Sequence, residues 1–495
     1  MSESSSLCNH AKSCSCPQST TQESIELFVS ANHAKSPHIV FFPSGLGAGQ
    51  LNLFFRLAAM LASRGCTLTF ITIQPHLSAT KLISDDTSIF FSNHPEIKKL
   101  NFEILPVTAS KSTINVDPFM LQIDAISRSL VKLGPLLSTL DEPVAAMVSD
   151  FSIADGLTQI IPDLGIHLYI LSTTSARFYS TVAYLPVLLS KNPALFKNLP
   201  GDIAIPGLAP IPKSSIPNSW LDNSPTNYVL TAFLLPNAES LCKVSGVFLN
   251  TFNWFEPETI TALNTGKIRS SLPPVFPLGP LESTEQENCS QWPWLDDKPA
   301  DSIIYVNFGT REPISRNQII EIGKGLLISG HSFLWILKDE QRELFGEVFM
   351  EGVRDKGKIV KEGRVHQEGI LGHPAIAVFM NQCEWDCVMD AARFGVPLLA
   401  WPQHGDQKMN AEVVEKAGLG VWVKEWGWGE ERLVNGEEIA EKVRMVMENR
   451  DVRREARNVR EEAEKAIKHC GSEKKLMEFI VASTQKIETA SFIEK

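Results

Sequence analysis

The stretch His38-Ile-Val-Phe-Phe-Pro43-Ser-Gly45-Leu-Gly47-Ala-Gly49-Gln50 decides the architecture. A short β-branched and aromatic run breaks into a glycine-rich turn, and residues 51–63 follow with apolar side chains at helical spacing. Cys66-Thr-Leu-Thr-Phe-Ile-Thr72 then reads as a second strand. Strand, glycine turn, helix and strand make a βαβ unit, the building block of a parallel sheet. The pattern recurs at residues 145–149 and 168–172, with a helical stretch between them, and 246–250 is another buried-strand run. A second series begins at Ile303-Ile-Tyr-Val-Asn-Phe-Gly309, with strands near 333–337, 376–380 and 397–401. The intervening texture, Ser-Thr-Glu-Gln-Glu-Asn-Cys-Ser-Gln, is poor in apolar residues and reads as a linker. The predicted architecture is α/β: two doubly wound, Rossmann-like domains facing each other across a cleft. Ligands are expected at the carboxyl ends of the strands.

The chain is expected to divide into a disordered polar leader (1–35), a first domain (36–280), a linker (281–302), a second domain (303–480) and a tail (481–495) that returns to the first domain. With 495 residues it is too long for one core. Its 43% hydrophobic and 21% charged residues exclude collagen, coiled coil and whole-chain disorder. A net charge of −11 argues against a nucleic-acid partner. No apolar run approaches the roughly 18 residues of a membrane span. The leader lacks the apolar stretch of a signal peptide, so a cytoplasmic protein is expected. Nine irregularly spaced cysteines give no disulfide framework, and Cys14-x-Cys16 lacks further metal ligands. Residues 437–469 alternate in charge and read as a solvated helix or helix pair.

Three stretches carry a family resemblance: Val365-His-Gln367-Glu-Gly-Ile-Leu-Gly-His373-Pro-Ala, Asn381-Gln-Cys-Glu-Trp-Asp-Cys387 and Pro402-Gln-His-Gly-Asp-Gln407-Lys-Met-Asn410. In this order they resemble the signature of the plant secondary-product glycosyltransferases, which have the GT-B fold and use UDP-sugars. Ile205-Pro-Gly-Leu-Ala-Pro-Ile-Pro-Lys-Ser-Ser-Ile-Pro217, Asn250-Thr-Phe-Asn-Trp-Phe-Glu-Pro257 and residues 405–418 are similar to the flavonoid C-glycosyltransferase branch. The resemblance covers nearly the whole chain after the leader. It implies that the first domain binds the acceptor and the second the nucleotide-sugar.

The resemblance places a general-base histidine at Gln50, whose amide takes no proton near neutral pH. A positioned acid or base is typically worth about 10²–10⁴ in rate. The aspartate that orients this histidine is implied to be Asp150, which caps the following helix or, without a histidine, is free to act as a base. His33 and His38 lie before the strand or at its far end and are poor substitutes. On the donor side, Arg364 stands where the resemblance implies a tryptophan stacking on uracil. Gln367 is retained as a nucleoside contact, Asp390 is a shortened carboxylate for the ribose, and Thr310 is a hydroxyl residue. Asp406 and Gln407 are the sugar-contacting pair. The diphosphate turn becomes Gln382-Cys383-Glu384-Trp385-Asp386-Cys387. A helix N-terminus binds phosphate through free N–H groups and a favourable dipole. A carboxylate within about 4 Å of a phosphate costs on the order of 1 kcal/mol in water and about 4 at an intermediate dielectric. Acids at a first turn also stabilise the helix. Glu384, Asp386 and Asp390 match no metal motif, so no metal is expected. Cys387 is expected to be a packing residue whose acidic neighbours raise its pKa. Arg364 and His366 are new relative to the pattern, as active groups or as surface residues.

The expected function is therefore a glycosyltransferase-like protein that binds a flavonoid, phenolic or polyketide-type compound. Ordinary UDP-sugar transfer is expected to be lost in favour of sugar-independent acid/base chemistry, a cyclisation, isomerisation or dehydration. Asp150 is the candidate base, Gln50 a hydrogen-bond donor, and no cofactor is expected. Two alternatives stand beside it: an active C- or O-glucosylating UDP-glycosyltransferase with an altered donor site, which would take a UDP-sugar, and a non-catalytic phenolic-binding or partner-binding protein. Other biosynthetic enzymes are candidate partners.

Overall fold

In the first sheet seven parallel strands lie in the spatial order Lys98–Glu103, Thr67–Gln74, His38–Phe42, Ala146–Ser149, His167–Ser172, Gly246–Leu249 and Val275–Pro277, and in the second six lie in the order Gly357–Lys361, Ser332–Leu337, Ile303–Val306, Ile376–Asn381, Leu398–Ala400 and Gly420–Trp422. The computed structural model describes residues 36–45, 47–74, 81–106, 118–221, 229–283, 292–309, 314–361, 365–429 and 431–468. The leader, the 481–495 tail, most of the linker texture, Thr310 and Arg364 lie outside these residues.

The first sheet is built from β1 (His38–Phe42), β2 (Thr67–Gln74), β3 (Lys98–Glu103), β4 (Ala146–Ser149), β5 (His167–Ser172), β6 (Gly246–Leu249) and β7 (Val275–Pro277). The second contains β8 (Ile303–Val306), β9 (Ser332–Leu337), β10 (Gly357–Lys361), β11 (Ile376–Asn381), β12 (Leu398–Ala400) and β13 (Gly420–Trp422). Helices cover both faces, so an interior strand must be apolar on both sides and reads as a continuous run. In β1, Val40 and Phe42 enter one core while Ile39 and Phe41 enter the other. In β8, Ile303 and Tyr305 face one core, Ile304 and Val306 its opposite. This is the architecture of two doubly wound, Rossmann-like domains that the sequence predicts.

Four strands that the sequence reading passes over, β3, β7, β10 and β13, are the four sheet edges. An edge strand is paired on one side only and tolerates polar residues, and β3 (Lys-Lys-Leu-Asn-Phe-Glu) is exposed at four positions. The first helix, Ala48–Ser63, begins three residues before the apolar periodicity, because Gly45 at φ 68° turns the chain directly into it. The charge-alternating segment forms two helices, Gly436–Glu448 and Arg450–Lys468. The end of the expected linker is not featureless: helix Pro293–Asp296 buries Leu295 in the second core.

The two domains share a seam. Phe252 and Phe255 leave the first sheet after β6 and pack in the second domain's core. The Trp385 indole N–H donates to the Asn250 carbonyl at 2.8 Å, and its ring lies 6.0 Å from that of Phe255. Glu256 accepts the N–H groups of Ala176 and Arg177 at 3.0 and 2.9 Å, capping helix Ala176–Lys191. The Asn250–Pro257 motif is thus a structural joint. Replacing Trp385 with Phe removes the indole donor and leaves a buried carbonyl unpaired. Chemical denaturation should show a loss of about 1–3 kcal/mol, and an unchanged midpoint would mean that this bond does not hold the seam.

Candidate functional site

On the first-domain rim, the β1–β4 register sets Phe42 beside Ser149, and the Ser149 hydroxyl donates to the Phe42 carbonyl at 2.7 Å. The residues just beyond, Ser44 and Asp150, therefore meet. Asp150 accepts the Ser44 N–H at 2.6 Å on one oxygen and the Ser152 N–H at 2.9 Å on the other. The expectation of a free carboxylate is corrected: Asp150 caps the turn Phe151–Ile153 with both oxygens engaged. Burial pushes its pKa up, while the Ser44 and Ser152 bonds pull it down. Gln50 donates to the Ser44 hydroxyl at 3.4 Å, and Gln122 donates to the Ser44 carbonyl at 2.8 Å. His38 stands at the opposite end of β1. Its Nδ1 donates to the Glu142 carbonyl at 3.2 Å, and Nε2 bonds with the Thr69 hydroxyl at 2.9 Å.

The facing rim belongs to the second domain. Asn381 Oδ1 accepts the Cys383 N–H at 2.8 Å, and Cys383 takes a left-handed φ of 67° to turn β11 into helix Trp385–Phe394. Glu384 occupies the N-cap position without a side-chain capping bond. Asp386 accepts the Cys387 N–H at 2.9 Å through Oδ1. Its other oxygen presses on Gly49 of the first domain, where a Cβ would lie only 2.3 Å away. A side chain at position 49 would require the Asp386 carboxylate to move aside. Burial first, and then the neighbouring Asp390, raise the Asp386 carboxyl above its ordinary range. Burial, followed by Asp386 and Glu384, pushes the Cys387 thiol well up, so it carries no thiolate character. Gln382 packs against Gly309 in the loop after β8.

One helical turn further along, Asp390 accepts from Gln367 at 3.1 Å and from Arg56 at 2.9 Å, one bond to each oxygen. Arg56 comes from the first helix of the other domain. It also pairs with Glu368 at 2.6 Å and donates to the Leu281 carbonyl at 3.1 Å. Arg393 completes the network, reaching Glu368 at 2.8 Å and Glu282 at 3.1 Å. Arg56, Glu368 and Arg393 were not singled out by sequence. The available signal was a lone arginine inside the apolar helix 51–63, seven residues and about two turns after Gly49. His366 caps the short helix Gln367–Leu371, accepting the Gly369 N–H at 3.0 Å.

Asp406 accepts from the Thr174 hydroxyl across the cleft and from Asn410 at 2.9 Å. Gln407 is buried and accepts the N–H groups of Gln403 and His404 at 2.8 and 3.0 Å. The structure thus gathers Gln382, Glu384, Trp385, Asp386, Cys387, Asp390, Gln367, Asp406 and Gln407 along one rim, and Gln50 and Asp150 on the other. Trp385 is a packing residue turned into the seam. Among the described residues, no group of three or more His, Cys, Asp or Glu side chains is placed to hold a metal ion. No described helix is long and apolar enough to cross a membrane. The side-chain oxygens of Gln367, Asp390, Asp406 and Gln407 are held in bonds within the protein, whereas Glu384 and Asp386 put acidic groups at the helix start.

The family described as UDP-glucoronosyl and UDP-glucosyl transferase matches residues 270–456. UDP-glycosyltransferase 708C1 of Fagopyrum esculentum is 41% identical over 463 residues, covering 91% of this chain and 96% of its own. The UDP-glycosyltransferase CGT of Oryza sativa subsp. japonica is 38% identical over 461 residues, covering 90% and 96%. The crystal structure of LpCGTa in complex with UDP superposes with a TM-score of 0.79 at 36% identity, covering 91% of this chain and 99% of that one. Identity of this extent over nearly the whole length shows common descent. The chain belongs to the plant UDP-glycosyltransferase family and is related to its flavonoid C-glycosyltransferase branch.

Proposed function

We propose that this protein transfers a sugar from a UDP-sugar to a phenolic acceptor, through a donor site weakened by its own carboxylates. The relatives favour this reading over the loss of sugar transfer that the motif changes suggest. The observation that carries it is that Gln367, Asp390, Asp406 and Gln407 are gathered along one rim, opposite the Ser44–Gln50–Asp150 cluster. The nucleotide-sugar supplies the electrophilic sugar carbon and its leaving group. Gln367 and Asp390 would hold the nucleoside, and Asp406 and Gln407 the sugar. Gln50 orients the acceptor hydroxyl but takes no proton, and Asp150 is shielded behind Ser44. The acceptor must therefore bring its own acidity, as a phenol flanked by carbonyl groups does. Purified protein incubated with UDP-glucose and a panel of such phenols should yield a hexosylated product. No product across the panel, with UDP unbound, would overturn this reading.

A second reading, sugar-independent acid/base chemistry on the same acceptor, is favoured by one specific observation: Glu384 and Asp386 stand where an anionic diphosphate needs positive potential. Its signature would be turnover of a phenolic without any nucleotide-sugar.

Two outcomes follow from the donor-site electrostatics and the missing base. The double substitution Glu384→Gly with Asp386→Asn should tighten UDP-glucose binding about tenfold or more by calorimetry, since removing each carboxylate relieves at least about 1 kcal/mol of repulsion. Asp386 titrates above the ordinary aspartate value. It is neutral below that raised pKa and charged above it, so wild-type affinity should weaken as pH rises through it, and the double variant should lose this dependence. Gln50→His restores a proton acceptor and should raise the transfer rate by at least about tenfold, within the usual range for general-base catalysis. An unchanged rate would mean that proton removal does not limit turnover.

A further inference from the structure

We propose that Arg56 is a latch that closes the cleft over the donor site, so that a nucleotide binds only to the fraction of molecules in which it has released Asp390 and Glu368. The proposal rests on the donor-site reading above, and two measurements separate them.

Arg56 projects from helix Ala48–Ser63 of the first domain into carboxylates of the second. Its Nη1 donates to Asp390 at 2.9 Å and to the Leu281 carbonyl at 3.1 Å, while Nη2 pairs with Glu368 at 2.6 Å. The side chains of Asp390 and Glu368 are only 5% exposed and that of Arg56 only 15%, so the pairing is shielded from water and salt. Gln367 donates to the remaining oxygen of Asp390 at 3.1 Å. The two groups expected to meet the ribose are thus bonded to each other and to the opposite domain.

An independent contact leads to the same conclusion. Asp386 Oδ2 lies against Gly49 with no room for a methyl group. A diphosphate at the start of helix Trp385–Phe394 needs that space, so the Asp386 carboxylate must swing aside, or the glycine turn and the helix start must part, before it enters. Both contacts lie on the same pair of helices, and Arg56 is the strong one. Apparent affinity scales with the open fraction. A substitution that weakens the latch without unpairing its buried carboxylates should therefore tighten nucleotide binding.

Arg56→Lys keeps the charge and loses the planar fork that spans two carboxylates. Glu368→Gln weakens the same latch from the other side, outside the expected nucleoside contacts, and guards against a folding defect in the first variant. Hydrogen exchange on the full chain without nucleotide should be faster than wild type in both variants at residues 47–56 and 384–390, with exchange in the sheet interiors unchanged. Calorimetry with UDP should show at least about threefold tighter binding. Unchanged exchange with unchanged or weaker UDP binding in both variants would overturn the latch. Faster exchange in variants that, like the wild type, bind no UDP would uphold the latch and overturn the donor-site reading. A purely structural role for Arg56 would speed exchange everywhere and tighten nothing.

Discussion

Two carboxylates buried at the mouth of the cleft, Glu368 and Asp390, set the terms for the rest of this molecule. An isolated buried charge is costly, and removing one partner of such a pair typically destabilises by about 3–5 kcal/mol. Their principal partner, Arg56, comes from the other domain. Closure is therefore electrostatically tied to the site: Arg393 of the same domain pairs with Glu368 alone, and Asp390 takes its ion pair from the first domain. The other cross-domain bonds have the same character. Thr174 donates to Asp406, while Arg177 and Ser215 converge on Glu412 at 2.6 Å each. Lys408 reaches the Ser214 carbonyl at 3.0 Å. Helix Gln407–Lys416 thus begins beside the expected sugar contacts and fastens, through Lys408 and Glu412, to the proline-rich segment of the acceptor domain.

Much of this was legible in the sequence, and the limits have physical causes. Nine interior strands stand out because both of their faces are buried. The four edges do not, because one paired side leaves β3 and β10 free to be polar. The positions of Gln367, Glu384, Asp386, Asp390, Asp406 and Gln407 could be read from their order within a long motif. Their partners could not. Nothing local to Asp150 says that two backbone N–H groups consume its oxygens, and nothing local to Arg56 says that carboxylates on two helices far along the chain are its counter-ions. Spacing reports which face of an element a residue occupies, whereas a charge pair between domains depends on how two separately folded sheets dock.

The docking also explains how Glu384 and Asp386 persist at a helix start that otherwise suits phosphate. Acidic side chains in a first turn interact favourably with the helix dipole, typically by about 0.3–1 kcal/mol, and Asp386 also takes the Cys387 N–H. The N–H groups and dipole that would receive a diphosphate thus face carboxylates belonging to the chain itself. In the closed state Asp386 fills space against Gly49, and burial favours its neutral form, which relieves its proximity to Asp390. In the open state that contact is lost, and Asp386 stands where the ligand's own charge must go. The same substitution therefore stabilises the closed fold and opposes donor entry. A nucleotide can win only by supplying more favourable contacts at Gln367, Asp390, Asp406 and Gln407 than the protein forfeits in parting Arg56 from its carboxylates.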